Sequence, residues 1–198
     1  MLSVNGARLL ERINELGAIG KDEEGRRTRL AASDTEKQGR DKVVRWMEDA
    51  DLKVVVDRIG NIFGIWETEE NKDKKPLMIG SHIDTVINAG QYDGCLGVIG
   101  AIEVIRTLKE AGRQSERPIV VCAFTNEEGV RYSPDMMGSL VYAGGLLVDE
   151  VLKTVGTDGT ILGEELKRIG YAWSRDFYSR RHSWSCTLSR DRSWIQRE

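Results

Sequence analysis

Three short stretches of the chain carry residues whose types and spacing suit metal-assisted hydrolysis. The first is GSHIDTV, residues 80–86. A histidine at the end of a strand can ligate a metal through neutral imidazole. Asp84, two residues on, can accept the other ring N–H and fix the tautomer, or it can cap the next element. The second is QYDGCLG, residues 91–97, where Asp93 stands beside Gly94. Glycine lets backbone approach closely, and a carboxylate there can bridge two cations or serve as a plain helix N-cap. The third is TNEEGVRYSPDMMGS, residues 125–139, with Glu127 and Glu128 adjacent after an apolar run. Two like charges in such a place are costly unless a metal or a proton compensates, although a solvated pair at a loop start is common. Singly, each stretch has an ordinary structural explanation. Together and in this order they point to a metal centre.

The segments between these motifs predict what positions them. Leu9, Leu10, Ile13 and Leu16 have helical spacing over residues 4–17. A second helix is predicted over 35–50, with Val43, Val44, Trp46 and Met47 on its buried face. Residues 52–67 alternate and turn at Gly60-Asn61, which predicts two strands. ENKDKK, residues 70–75, reads as a solvated loop, and PLMIGSH, residues 76–82, as a strand of the buried type. A helix over 96–112 stops at Gly112, a strand over 117–129 runs into a polar end, and another helix lies near 162–169. Strands alternating with helices predict an α/β layered fold, whose catalytic groups gather where strands end. His82 and Glu127 both fall at such ends.

Composition narrows the class. The chain has 198 residues, 40% hydrophobic and 31% charged, enough apolar material for one globular domain, or one and a fragment of another. A net charge of −3 argues against a nucleic-acid surface. The first residues, MLSVNGARLLERINELG, lack the unbroken apolar core of a signal peptide, and no stretch is long enough for a membrane span. Cys95, Cys122 and Cys186 show no paired spacing, and a reducing cytoplasm is the expected compartment.

The motifs GSHIDTV, AGQYDGCLGV and FTNEEGVRYSPDMMGS resemble the metallopeptidase-like (M20-type) amidohydrolases with paired metals. Within them the wording is similar to the branch of N-carbamoyl-L-amino-acid hydrolases, allantoate amidohydrolases and beta-ureidopropionases. It is less like a dipeptidase or aminopeptidase of the same fold. The resemblance covers roughly residues 1–172. It implies a three-layer zinc-peptidase-like catalytic domain with a central mixed sheet, incomplete here and without the lid and dimerisation domain that makes the family homodimeric. It implies that His82, Asp93 and Glu128 are metal ligands, that Asp84 supports His82, and that Glu127 is the general base. The cofactor implied is two divalent ions, zinc or else manganese, cobalt or nickel. The substrate implied is a small ureido or amide compound whose non-peptide C–N bond is hydrolysed, with no nucleic-acid or membrane partner.

Two ligands of the family pattern are absent, one of them the His of an LHIEQGP-like motif. Residues 173–198 explain why. They hold Trp173, Trp184 and Trp194, six Arg and six Ser, no Lys, Ala, Gly or Val, and no apolar period. Trp184–Arg197 can be written back into codons that, shifted by one base, encode LELHIEQGPILDTE. The tail is therefore expected to be out-of-frame translation, with His182 no substitute ligand. The chain as it stands is expected to be an inactive fragment, at most a metal-binding or interaction remnant.

Overall fold

The helices form where apolar spacing and capping chemistry agree. α1 (Gly6–Gly17) starts at Asn5, whose side chain accepts the Arg8 N–H, and buries Ile13 and Leu16. α2 (Asp34–Glu48) starts at Ser33, whose hydroxyl accepts the Glu36 N–H at 3.1 Å. Glu36 reaches back in turn to the Ala32 N–H, a variant of the reciprocal capping box. β1 (Lys53–Val56) and β2 (Ile62–Trp66) form an antiparallel hairpin, and β2 pairs antiparallel with β4 (Ile119–Phe124). β3 (Leu77–His82) runs parallel to β4, with α3 (Cys95–Glu110) as the crossover. α4 (Met137–Tyr142), α5 (Val148–Val151) and α6 (Leu162–Arg168) follow. The computed structural model describes residues 2–172. The expected frame-shifted tail over 173–198 lies outside the described residues.

The sheet order is β1-β2-β4-β3, an open mixed sheet, as the α/β expectation requires. One face carries Ile62, Trp66, Ile119, Val121 and Ala123 into the main core with Val43 and Met47 of α2 and Val98, Ile99 and Ile102 of α3. The other face carries Phe63, Ile65, Val120 and Cys122, with Tyr142 of α4 tilted against Phe63 and Phe124. Period-2 alternation along β2 and β4 thus feeds two apolar layers from one sheet. Among the described residues, no helix is long and apolar enough to cross a membrane.

Two expectations need correction. β3 is not a fully buried strand: among the described residues it lies at the edge of the sheet, and Leu77 is exposed. The loop over 70–75 is not wholly solvated either. Asn71 is buried, accepting the Thr68 N–H at 2.8 Å and donating to the Ser115 carbonyl at 2.9 Å. The short helices α4 and α5, of six and four residues, have no legible period and were not anticipated.

One buried amide ties the hairpin to the segment after β4. Asn61 accepts the Thr125 N–H at 2.9 Å and donates to Asp57 and to the Gly138 carbonyl. Asn61→Ala would leave these buried groups unmet, and is expected to cost about 2–4 kcal/mol in urea unfolding. The neighbouring Asp57 gives a pH signature. Burial pushes its carboxyl up to about 6, against the N–H groups of Asn61 and Ile59 and the charge of Arg40. The folded protein therefore holds a proton that the unfolded chain releases near about pH 4. The stability this proton contributes is present below that pH and is lost as pH rises through the folded value. Unfolding free energy should decline between about pH 4 and about pH 7, and Asp57→Asn should flatten this limb of the curve.

Candidate metal centre

The parallel pairing of β3 and β4 brings the three motifs together. His82 ends β3 and stands beside Phe124, the last residue of β4. Glu127 and Glu128 follow within the next turn of chain. Sites in α/β sheets form in this crevice, beyond the carboxyl ends of parallel strands. The loop after β4 is folded back on itself. Asn126 takes a left-handed conformation with φ 51°, which asparagine tolerates better than most residues. Its side-chain amide donates to the Tyr132 carbonyl at 2.7 Å and the Pro134 carbonyl at 3.1 Å. The Met136 N–H closes the loop on the Glu127 carbonyl at 2.7 Å.

The side chains converge around one imidazole. His82 Nε2 lies 3.4 Å from Glu127 Oε2 and 3.8 Å from Asp93 Oδ1. His82, Glu127 and Glu128 offer ligand atoms that all lie within 4.8 Å of one another, a group able to hold a cation. Asp93 stands outside that group, with its side chain 80% exposed, but its carboxylate faces the same ring nitrogen. Asp93 is not a helix cap: Gly94 holds the N-cap position of α3, and no side-chain hydrogen bond caps it. Burial opposes charge on the His82 ring, but the hydrogen bond and charge of Asp84 and the charge of Glu127 outweigh it. The ring is raised to about 9. Burial likewise pushes the Glu128 carboxyl up, with the charge of His82 pulling the other way.

Asp84 does something the sequence reading did not foresee. The ring Nδ1 of His82 pairs at 3.0 Å with the backbone carbonyl of Asp84, while the nearer carboxylate oxygen stands at 3.6 Å. The carboxylate itself accepts the backbone N–H of Glu127 on one oxygen, at 3.2 Å, and that of Glu128 on the other, at 3.1 Å. One buried acid thus orients the imidazole through its carbonyl and holds both glutamates through its side chain. Arg131 was missed altogether. Its guanidinium binds Asp158, Glu165, Thr160 and the Ala31 carbonyl, anchoring the loop that presents the glutamates. A lone arginine within so polar a motif was the available signal.

Gly94 sets the closeness of Asp93 to His82. Its φ is 63°, and a β-carbon there would lie 2.5 Å from His82 Nε2. Gly94→Ala should therefore keep the fold, at a stability cost of about 1 kcal/mol or somewhat more for the left-handed backbone. It should weaken zinc binding about tenfold or more by displacing the ring. Calorimetric zinc titration beside a thermal melt checks both.

Comparison with known proteins places the chain among hydrolases. Residues 61–176 match the family model of peptidase family M28. The chain is 40% identical, over 84% of its length, to an N-carbamoyl-L-amino acid amidohydrolase of Geobacillus stearothermophilus, covering 40% of that protein. It is 42% identical to a probable allantoate deiminase of Oryza sativa subsp. japonica, over 79% of this chain and 32% of that one. A crystal structure of a hydantoinase/carbamoylase family amidase from Burkholderia ambifaria superposes with a TM-score of 0.86 at 37% identity, covering 89% of this chain and 43% of its own. The chain thus spans between about a third and about two fifths of the length of these relatives. The matching profile is M28, whereas the sequence motifs suggested an M20-type enzyme; the amidohydrolase relatives are those the motifs pointed to. With the profile covering more than half of it, the chain belongs to peptidase family M28.

Proposed function

We propose that this chain carries the water-activating part of a metal-dependent amidohydrolase. The bonds it serves are the non-peptide C–N bonds of small linear amides and ureido compounds: N-carbamoyl-L-amino acids, allantoate or ureidopropionate. The observation that carries the reading is the convergence of one imidazole and two carboxylates within 4.8 Å, at the carboxyl end of a parallel strand pair. An imidazole-carboxylate donor set suits zinc or manganese. His82, Asp93 and Glu128 are the residues that would hold the ions. Bound divalent ions supply Lewis acidity, which lowers the pKa of water and polarises a carbonyl. Glu127 is the base: it faces the same ring nitrogen, is only partly buried, and can take a proton from water and pass it to the leaving nitrogen. Asp84 keeps the two glutamates in register. A small-molecule substrate and a reducing cytoplasm complete the reading.

A second reading rests on the donor count. Paired metal sites use about five or six protein ligands. Among the described residues only His82, Glu127, Glu128 and the outlying Asp93 gather here. The chain by itself is then a metal binder without turnover, and a histidine of the LHIEQGP kind, which a one-base shift of permissible codons for the tail would supply, belongs to the working enzyme.

The experiment compares the chain as given, a frame-restored chain and Glu127→Gln in the restored chain. Each is assayed for zinc uptake and for ammonia release from N-carbamoyl amino acids and allantoate. The chain alone should take up zinc and release ammonia near background, whereas the restored chain should turn over. Glu127→Gln should keep the metal and lose about 10²–10⁴ of the rate, because it removes a base. Robust turnover by the chain alone would sink the second reading. Failure of the chain to take up zinc would sink the metal centre, and inactivity of the restored chain on every ureido compound would sink the substrate class.

A further inference from the structure

Arg29 is among the most deeply buried side chains of the molecule, 1% exposed, and among the described residues no carboxylate pairs with it. Its Nε donates to the Ile83 carbonyl at 2.7 Å. One terminal nitrogen donates to the carbonyls of Leu16 and Ile19 at 3.1 and 3.0 Å, and the other to Cys95 Sγ at 3.2 Å. Its own backbone adds two more bonds. The Arg29 N–H donates to Thr85 Oγ1 at 2.8 Å, and the Arg29 carbonyl accepts the Thr85 N–H at 2.9 Å. A buried guanidinium with only neutral acceptors is expensive to maintain. It is offset here by the carbonyls at the end of α1, the negative end of that helix's dipole. α2 packs onto its methylenes at Gly39, where a β-carbon would come within 3.1 Å of Arg29 Cδ.

The acceptors are not scattered. Ile83 and Thr85 flank Asp84, the residue whose carboxylate holds the amides of Glu127 and Glu128. Cys95 opens α3, two residues after Asp93. One planar fork therefore grips both sides of the metal centre at fixed angles: the loop behind His82 and Asp84, and the helix start behind Asp93. We propose that Arg29 is the positioning residue of this centre. It sets the spacing between the His82-Asp84 loop and the Asp93 turn, and through Asp84 the aim of Glu127 and Glu128. This inference rests on the metal reading above. Lysine cannot replace it, because a single ammonium has no rigid fork with which to reach three carbonyls and a thiol at once.

The test uses cobalt(II) as a spectroscopic probe on the full chain. Wild type, Arg29→Lys, Thr85→Val and a packing control, Val43→Ala, are titrated with cobalt while visible absorption is recorded, and each is melted thermally. Val43 is buried in α2 within the main core and touches none of these groups through hydrogen bonds. Arg29→Lys is expected to weaken cobalt binding about tenfold or more and to alter the ligand-field bands. Val43→Ala is expected to lower the melting temperature with unchanged affinity and bands. Thr85→Val removes only the contact with the Arg29 N–H, and it carries the test if Arg29→Lys does not fold; it should shift the bands in the same sense. A merely structural Arg29 would make Arg29→Lys and Thr85→Val behave like Val43→Ala, and that result overturns the proposal while leaving the metal centre standing. Wild-type chain that binds no cobalt overturns the metal reading and this inference with it.

Discussion

Two peptide N–H groups on one carboxylate hold this site together. Asp84 is almost wholly buried, and each of its oxygens takes the amide of a different glutamate. The arrangement makes the post-β4 loop a fixture of the β3 loop, so that two segments joined by a whole helix move as one. It also gathers negative charge. Asp84, Glu127, Glu128 and Asp93 all stand around His82; against the burial that lowers it, the hydrogen bond and charge of Asp84 and the charge of Glu127 hold the ring's proton well above its ordinary range. Arg40, buried on α2 against Glu36, lends further positive charge within reach of Asp84. A dication entering such a place meets donors already drawn together, and it must displace the proton that the ring holds there.

Much of this was legible in the residues, for a physical reason. The elements that position the site are long enough to show a period. Ile13 and Leu16 in α1, Val43 and Met47 in α2, and Val98, Ile102 and Ile105 in α3 all reach the core their spacing predicts. The turn at Gly60-Asn61 was equally plain, because glycine at positive φ is what a tight hairpin needs. His82, Glu127 and Glu128 could be singled out by type and by place after strands, and Asp93 by its place before a helix; the structure gathers His82, Glu127 and Glu128, with Asp93 facing the same ring.

What was hidden depends on contacts between segments far apart in sequence. The sequence shows that Asp84 follows His82 by two residues. It does not show that the carboxylate, beside the ring, also takes the amides of residues more than forty positions on. Arg29 and Arg131 hide in the same way: an arginine in a polar stretch looks like surface until its acceptors are known. The edge position of β3 was hidden because an apolar run of six residues reads alike in a central strand and in an edge strand with one face packed. Asn71 was lost in a charged loop for want of any periodic neighbour.

That edge has a consequence for how the protein survives at high concentration. Among the described residues β3 has one unpaired rim, and such a rim offers its backbone to any other extended chain; β3 also shows Leu77 to solvent. Immediately before it stand Lys74, Lys75 and Pro76, the two lysines exposed. Proline cannot donate to an incoming strand, and paired positive charges repel a second copy of themselves. The loop that looked like filler between two strands thus carries the charge and the proline that make a poor template for self-adhesion, next to the strand whose last residue is His82.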